Sequence, residues 1–382
     1  MSALPTTKGL RTSLAILTMP DLDNGFRGNR SNFIDLIAKG KELGAFVFVV
    51  TTDDLRKATK RIYGHVYQPE SELWVRQLLP MPQVIYSRIP TRTDEQLPEV
   101  QTLIADFARK RGVSLFNPYF FNKWALFEWL NTDKATRHFI PATRRLASPK
   151  ELVAFIQSHP MTYLKPVRGK AGKGIMRLET YVPGQKYWCK LSIQDNKRSI
   201  VTNHLNIAKL WTRIKQETGE EDYIIQQGIP LAESMGRPFD LRVLVQKNQA
   251  GRWLLTGIGA RVAGVKSITT HVPRGGHIDS PERALLSSFG ERRGLLIFRK
   301  VSHAALVIAK RIEKESGFKL GEMSLDLGVD QNGRIWFFEA NSRPMKFDEP
   351  DIRELSLTRI IEYSHYLSRP RPAQTGKKSG GS

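Results

Sequence analysis

The pattern of apolar and polar positions in residues 1–118 alternates between short apolar runs and helically spaced segments. Residues 46–50, FVFVV, are apolar at every position, which is typical of a parallel strand buried on both faces. Strands that alternate with helices predict a small α/β domain with a parallel sheet. The predicted strands cover 12–18, 46–50, 82–87 and 113–116, and the predicted helices cover 32–43 and 99–110.

The remainder of the chain predicts longer strands that carry charged residues. In 238–245, PFDLRVLV, Asp240 and Arg242 share one face, while Leu241, Val243 and Val245 share the other. A Ser-Pro pair at 148–149 predicts the start of a helix. Further strands are predicted at 222–229 and 252–262, and helices at 151–158, 200–214, 299–313 and 351–366.

Residues 321–344, GEMSLDLGVDQNGRIWFFEANSRP, predict two strands joined by a tight turn at Asn332-Gly333. An Asn-Gly pair between apolar runs is a strong hairpin signal. With that pair as the loop, Gln331 faces Arg334, and the numbers of facing residues sum to 665. The register of both strands then follows from the turn.

On this register Asp326 lies opposite Glu339. Like charges that face each other across a ladder are destabilising, so a cation is expected between them. Asn341 lies two residues past Glu339 and shares its face, and Arg343 follows as a cation suited to phosphate or carboxylate. Carboxylate and amide oxygens suit magnesium rather than zinc. The alternative is a solvated hairpin with polar residues on its open face.

Residues 162–179, TYLKPVRGKAGKGIMRLE, predict a strand, a basic glycine-rich loop and a second strand. Glycines allow close approach of the backbone to a ligand, and consecutive N–H groups can bind phosphate oxygens. The pattern is neither a Walker A loop nor a GxGxxG turn. Such a loop can also be only a flexible turn. The candidate phosphate-binding residues here are Lys165, Gly169, Gly172, Lys173 and Gly174.

Composition and charge narrow the class of protein. The 382 residues suffice for two or three domains, and the net charge is +22. Residues 1–118 hold 16 Lys+Arg against 12 Asp+Glu, so most of the excess lies in the part that carries the motifs. Nucleotide phosphates, an acidic macromolecule or nucleic acid could each account for it. The lone Cys189 excludes an internal disulfide, and the apolar run at 14–17 is too short for a signal peptide core or membrane span.

In chain order these motifs resemble those of ATP-grasp ligases. The segments FNPYFFNKW, LKPVRGKAGKGI, IIQQGIPLAE, GRPFDLRVLVQKN and LDLGVDQNGRIWFFEANSRP are similar to the YheC/YheD-type ATP-grasp proteins, described as spore coat-associated. That family is related to ribosomal-protein glutamate ligases and glutathione synthetases. The resemblance implies an α/β (α+β) ATP-grasp fold. It also implies a pre-ATP-grasp domain at 1–118 and an ATP-grasp domain at 119–368, with a lid subdomain at about 138–226 and a C-terminal subdomain at about 227–368. Residues 369–382 are rich in Pro, Gly and Ser and hold four basic residues and no acid, which predicts a disordered basic tail.

The resemblance also implies residue roles. Lys123 and Lys165 would hold the α- and β-phosphates, and the loop from Gly169 to Gly174 would close over them. Magnesium, with two ions expected and manganese as an alternative, would be bound by Asp326, Glu339 and Asn341. Arg242 and Arg261 would face the γ-phosphate and an acyl phosphate, with Arg343 as a third catalytic cation. The remaining nucleotide-binding positions, at the adenine edge and on the Asp-x-Arg strand, are Gln226, Gln227, Gly228, Ile229 and Asp240.

Three functions follow as hypotheses. The first is an ATP-dependent carboxylate–amine ligase that acts through an acyl phosphate on an amino acid, peptide or acidic protein substrate in sporulation, in the mother-cell cytoplasm or at the spore coat. The second is an ATP-binding spore coat structural protein without turnover. The third is a polyanion or nucleic-acid binder, which ranks last because the basic residues lie among glycines and carboxylates. No membrane partner is expected.

Overall fold

The computed structural model describes residues 12–109, 112–167, 174–180, 188–195, 198–265, 267–268, 270, 275–347 and 349–369. The first part of the chain contains β1 Thr12–Thr18, β2 Pro20–Asp21, β3 Gly25–Phe26, α1 Arg30–Glu42, β4 Ala45–Thr51, α2 Thr52–Arg56, β5 Arg61–Gln68, β6 Leu73–Pro80, β7 Val84–Ser87, α3 Arg92–Glu95, α4 Pro98–Arg109 and β8 Ser114–Phe116.

The middle of the chain contains α5 Lys123–Asn131, a 3₁₀ turn at Arg137–Phe139, β9 Thr143–Arg145, α6 Pro149–Ser158, β10 Met161–Pro166, β11 Met176–Thr180, β12 Cys189–Asp195, β13 Arg198–His204, α7 Ile207–Thr218 and β14 Tyr223–Gln227. The last part contains β15 Glu233–Ser234, β16 Arg237–Lys247, β17 Trp253–Val262, β18 His277–Asp279, α8 Pro281–Phe289, α9 Glu291–Ser316, β19 Glu322–Val329, β20 Ile335–Asn341 and α10 Pro350–Ser368.

The chain forms two compact units. The first comprises the described residues of Met1–Tyr119, Lys247–Arg252 and Lys346–Ser382. The second comprises those of Phe120–Gln246 and Trp253–Met345. The last helix, α10, which the resemblance places in the ATP-grasp domain, lies in the first unit. The predicted tail beyond residue 369 lies outside the described residues.

The first unit is built on a six-stranded sheet in the order β6-β5-β4-β1-β7-β8. β1 is parallel to β4 and β7, and β7 is parallel to β8, whereas β5 and β6 form an antiparallel hairpin on one edge. Alternate residues of β1 pack on opposite sides of the sheet. Leu14 and Ile16 pack with α1 and α10, and Ala15 and Leu17 pack with α4. The predicted parallel sheet with both faces buried is confirmed, and the β5–β6 hairpin is an addition to it.

The second unit contains two antiparallel sheets. One sheet has the order β13-β12-β11-β10-β14-β9, with α6 and α7 packed on one of its faces. It is called the lid sheet here because its strands fall in the stretch that the resemblance implies as the lid. The helix predicted at 151–158 is present, and the Ser148 hydroxyl caps it by accepting from the Glu151 N–H. The helix predicted at 200–214 is wrong in its first half. Residues up to His204 continue β13, and the helix begins at Ile207 after the Asn206 side chain caps it.

The C-terminal sheet has the order β18-β17-β16-β19-β20, with α5, α8 and α9 packed on one face. Leu241, Val243 and Val245 of β16 enter this core, as their alternation predicts. The opposite face therefore presents Asp240 and Arg242. Mixed α/β architecture with these sheets confirms the predicted fold class.

The turn of the β19–β20 hairpin differs from the predicted turn, but Asp326 still faces Glu339 as predicted. Asp330 rather than Gln331 closes the loop: its N–H donates to the Arg334 carbonyl at 3.0 Å, and Gly333 takes a positive φ of 78°. A loop of three residues with glycine in the left-handed region is a common hairpin form. It shifts the facing pairs by one, so that Leu327 faces Phe337.

A bulge then shifts the register back. Phe338 is the extra residue, and beyond it Asp326 faces Glu339 and Ser324 faces Asn341, as predicted. A β-bulge inserts one residue on one strand and locally re-aims side chains. The predicted carboxylate pair is therefore correct although the predicted turn is wrong, because two one-residue shifts cancel.

Candidate nucleotide site

A cavity of about 500 Å³ lies in the second unit, between the uncovered face of the lid sheet and the charged face of the C-terminal sheet. Small-ligand sites usually enclose roughly 300–1,000 Å³. The structure brings eight of the predicted site residues together in its lining, namely Lys123, Lys165, Gln226, Gln227, Ile229, Asp240, Asp326 and Glu339. These residues are up to 216 positions apart in the sequence.

The wall of the cavity on the C-terminal sheet, called the charged wall, belongs to a row of charged side chains across three strands, of which Asp326 and Glu339 line the cavity and Arg242 does not. Arg242 on β16 faces Asp326 on β19, and Asp326 faces Glu339 on β20. The Arg242 Nε lies 3.6 Å from one Asp326 oxygen. Because facing residues of neighbouring strands point to the same side of a sheet, the row is fixed by register.

Arg261 is a buried cation that joins Asp240 to Asp326. Its Nε and Nη2 donate to the two Asp240 oxygens at 2.8 and 2.7 Å, and Nη2 also lies 2.9 Å from Asp326. The Thr270 hydroxyl donates to the same Asp240 carboxylate at 2.6 Å. Burial lowers the pKa of the Arg261 guanidinium, but the Asp240 and Asp326 carboxylates outweigh it and hold that pKa above its ordinary value. Arg261 is 5% exposed and absent from the cavity lining, so it acts here as a counter-ion beneath the wall.

Lys123 provides a second cation at the same wall. It is the first residue of α5, whose start is fixed by the Asn122 side chain accepting from the Ala125 N–H. The Lys123 Nζ lies 3.5 Å from a Glu339 oxygen. A lysine here extends from a helix end into the cavity, where it can meet either a carboxylate or a phosphate.

Lys165, on β10, lines the cavity wall formed by the lid sheet, called the lid wall. Its ammonium donates to the Gln226 Oε1 at 2.6 Å and lies 5.3 Å from the centre of the Phe338 ring. Burial, and then the positive charge of Lys123, lower the pKa of Lys165 to about 8. A lysine in this state is partly desolvated and gains from an anion.

The end of β14 leads into Gly228 and Ile229 at the edge of the cavity, a segment called the hinge below. The Gln227 N–H donates to the Ala142 carbonyl, and the Gly228 N–H donates to the Met161 carbonyl, both at 2.8 Å. A Cβ added at Gly228 would lie 2.8 Å from the Met161 oxygen, which requires glycine there. The backbones of Gly228 and Met161 are therefore in close contact at the position where the resemblance implies the adenine edge.

The donor set of the charged wall fits a magnesium ion. Asp326 and Glu339 offer carboxylate oxygens from facing positions, and Asn341 lies on the same strand as Glu339. Magnesium is commonly held by one or two carboxylates, with water and substrate phosphates completing its shell. Among the described residues, no group of three His, Cys, Asp or Glu side chains is arranged to hold a metal ion.

Other predicted residues lie elsewhere or cannot be placed. Arg343 is buried, with its guanidinium 4.2 Å from the centre of the Phe120 ring. Arg343, Arg242, Asn341, Gly174 and Gly228 are not part of the cavity lining, although the Gly174 carbonyl accepts from the Tyr223 hydroxyl at 3.1 Å. Gly169, Gly172 and Lys173 lie outside the described residues.

Several lining residues escaped the sequence analysis. Tyr163 shares the cavity side of β10 with Lys165, and strand alternation could have identified it. Phe338 enters the lining because it is the bulged residue, which no periodicity reveals. Arg177, Glu233 and Thr270 also line the cavity.

Comparison with known proteins identifies relatives. A family model described as YheC/D like ATP-grasp matches residues 112–367. The endospore coat-associated protein YheD of Bacillus subtilis (strain 168) is 30% identical over 360 residues, which is 91% of this chain and 76% of YheD. YheC of the same organism is 20% identical over 338 residues, 87% of this chain and 91% of YheC.

Solved structures show the same fold. The VanG D-Ala:D-Ser ligase of Enterococcus faecalis matches with a TM-score of 0.51 and 11% identity, over 93% of this chain and 99% of that one. The ATP-grasp ligase PsnB, complexed with a minimal precursor, Mg and ADP, matches with a TM-score of 0.51 and 11% identity, over 97% and 99%. No helix in the described part of the chain is long and apolar enough to cross a membrane. On the family match and the YheD identity, the chain belongs to the YheC/D-like ATP-grasp family.

Proposed function

We propose that this protein is an ATP-dependent carboxylate–amine ligase. The observation that carries the proposal is the cavity in which facing carboxylates, Asp326 and Glu339, lie opposite the Lys165 ammonium. Acidic and basic groups on facing walls suit a magnesium–triphosphate, whose metal needs the former and whose phosphates need the latter. Membership of an ATP-grasp family supports the same ligand.

The reaction has two steps. A substrate carboxylate oxygen attacks the γ-phosphorus of ATP, the bond to the β–γ bridging oxygen breaks, and an acyl phosphate and ADP result. An amine nitrogen then attacks the acyl carbon, phosphate leaves with the C–O bond electrons, and the amine loses a proton. The product is an amide.

This chain's residues act mainly by positioning and by charge. Lys123 and Lys165 would bind the α- and β-phosphates, and Arg242, at the edge of the charged row, would meet the transferring phosphoryl group. Arg261 would orient Asp326 through its contact at 2.9 Å. Asp326, Glu339 and Asn341 would hold magnesium, which neutralises phosphate charge when bound.

The proposed substrates are an amino acid, a peptide or an acidic protein. The net charge of +22 favours an anionic carboxylate partner. The similarity to proteins named endospore coat-associated supports a role in sporulation. Those names also favour a second candidate function, a nucleotide-binding coat component without turnover.

The deciding experiment is ADP release across a panel of amino acids, peptides and acidic proteins, with mass spectrometry of the products. The ligase predicts ADP formation that depends on both a carboxylate and an amine, and a product whose mass equals the two substrates minus water. Tight ATP binding without ADP formation against the whole panel would favour the coat component instead.

A further inference from the structure

The hydrogen bonds of the lid wall form a chain that continues away from the cavity. The Lys165 ammonium donates to the Gln226 Oε1 at 2.6 Å. The Gln226 Nε2 donates to the Thr143 hydroxyl at 3.0 Å, and this hydroxyl donates to the Pro141 carbonyl at 2.8 Å. Four residues on three segments are thereby linked.

The Pro141 carbonyl fixes the direction of the whole chain. A carbonyl oxygen can only accept, so the single Thr143 hydroxyl proton is used there. The Thr143 oxygen must then accept from its other neighbour, which requires the Gln226 NH₂ group to face it. The Gln226 Oε1 is left facing Lys165, where it can accept from the ammonium. Amide orientation is thus set by the network rather than by shape, since the two ends of the amide are similar in size.

Sheet register holds these groups together. Gln226 faces Tyr163 on β10 and Thr143 on β9, so the three side chains point to one side of the lid sheet. Gln226 is only 1% exposed, so water offers its amide little alternative bonding. If the amide were reversed, its NH₂ would face the lysine ammonium, donor against donor.

We infer that Thr143, which is not part of the cavity lining, is a positioning residue that orients the Gln226 amide and through it holds the Lys165 ammonium for nucleotide phosphates. The inference rests on the proposed nucleotide site. It assigns Gln226 to the lysine rather than to the adenine edge that the sequence resemblance implies.

The chain offers a matched control on the same sheet. Thr180, at the end of β11, also donates its hydroxyl to a proline carbonyl, that of Pro160 at 3.2 Å. Thr180 is not part of the cavity lining and has no contact with Gln226 among the hydrogen bonds of the described residues. Thr143→Val and Thr180→Val each remove one hydroxyl at nearly constant volume, but only the first releases the amide.

The test is titration calorimetry of the full chain with ATP plus magnesium, ADP and adenosine. Thr143→Val should weaken ATP and ADP binding by about fivefold to tenfold, the usual effect of losing one hydrogen bond between neutral groups. Adenosine binding should change less than twofold, because adenosine has no phosphates for Lys165 to meet. Gln226→Met should reproduce the pattern with a larger loss, and Thr143→Ser should recover most of the affinity.

Three results would overturn the inference. Equal affinities for Thr143→Val and Thr180→Val would show that the Thr143 hydroxyl does not act through Lys165. An equal loss for adenosine and ATP would show a general distortion of the sheet. Failure of the unsubstituted protein to bind any nucleotide would remove the proposed function and this role with it, an outcome distinct from the other two.

Discussion

The charged groups on the two walls of the cavity, one on the C-terminal sheet and one on the lid sheet, have different partners within the protein. On the C-terminal sheet, the carboxylates of Asp240 and Asp326 already have a cation, because Arg261 lies between them. On the lid sheet, the Lys165 ammonium donates to a neutral amide, and its pKa falls to about 8 mainly through burial. Asp240 and Asp326 thus share one cation within the protein, and Glu339 lies outside that contact, so this wall can still bind a metal ion. The Lys165 ammonium donates to no carboxylate among the hydrogen bonds of the described residues, so the lid wall gains from an anionic ligand. Substitutions that remove one charge from each wall should therefore have different effects.

The largest expected effect is on stability, at the charged wall. Arg261→Met would leave two buried carboxylates without their cation and should lower the free energy of unfolding by about 3–5 kcal/mol. Urea denaturation followed by tryptophan fluorescence measures the change. Arg283→Met is the control, since the Arg283 side chain is 68% exposed and pairs with Asp279 four residues earlier. Substitutions at such exposed ion pairs change stability by about 0.5 kcal/mol or less. Similar losses for both variants would contradict the buried counter-ion.

The next effect is on binding, at the lid wall. Lys165→Met should weaken ATP binding by about tenfold to a hundredfold, because a charge-assisted contact with phosphate is lost. The unsubstituted protein should also lose affinity as the pH rises through about 8, since the ammonium that meets the phosphates then loses its proton. Calorimetry between pH 7 and pH 9 tests both points. An identical pH dependence in Lys165→Met would assign the titration to another group.

Stability should respond to Lys165 in the opposite direction. The folded chain holds this proton less tightly than the unfolded chain, whose lysine keeps its ordinary pKa of 10.5. Below pH 8 the buried ammonium therefore lowers the free energy of unfolding by its full cost. This free energy increases again as the pH rises from 8 towards 10.5. We expect Lys165→Met to be more stable than the unsubstituted protein at pH 7, with the difference shrinking over that interval. A lower stability of the variant at pH 7 would contradict the cost assigned to the buried ammonium.

A smaller effect is expected at the hinge between the walls. Gly228→Ala would place a methyl group 2.8 Å from the Met161 oxygen and should destabilise the lid sheet by about 1–3 kcal/mol. The displaced hinge should also weaken adenosine binding, in contrast to Thr143→Val. If the adenosine affinity of Gly228→Ala is unchanged, the hinge is not part of the region that binds the base.

The smallest effect is expected at the hairpin loop beyond the charged wall. Gly333→Ala would put a side chain in the left-handed region at a φ of 78°, with its Cβ 2.9 Å from the Ile297 Cδ1, and should cost about 1–2 kcal/mol. Gly333→Asn should cost less, because asparagine tolerates that conformation. Equal losses in the two variants would contradict the conformational explanation.

Features of the site that depend on a single strand or hairpin could be predicted from the sequence. Alternation placed Asp240 and Arg242 on one face of β16, because side chains on a strand have a strict period of two. The pairing of Asp326 with Glu339 was correct, although the loop is one residue longer than predicted and the bulge at Phe338 restores the register.

Partners that come from other strands could not be predicted. Arg261 was expected to face phosphate, yet it lies between two carboxylates, because the packing of β17 against β16 decides which groups it reaches. The Thr143–Gln226 contact likewise depends on β9 pairing with β14, which are 83 residues apart at these positions. The sequence pattern of one strand predicts which side chains share a face of that strand. The side chains that they contact on other strands depend on how the strands pair in the folded protein.

The most direct test of the central claim is the magnesium dependence of ATP binding, measured by calorimetry in the unsubstituted protein and in Glu339→Gln. If Asp326 and Glu339 hold the metal of a magnesium–nucleotide, magnesium should strengthen ATP binding in the unsubstituted protein, and most of this gain should be absent from Glu339→Gln. The same gain in both proteins, or none in either, would contradict the account.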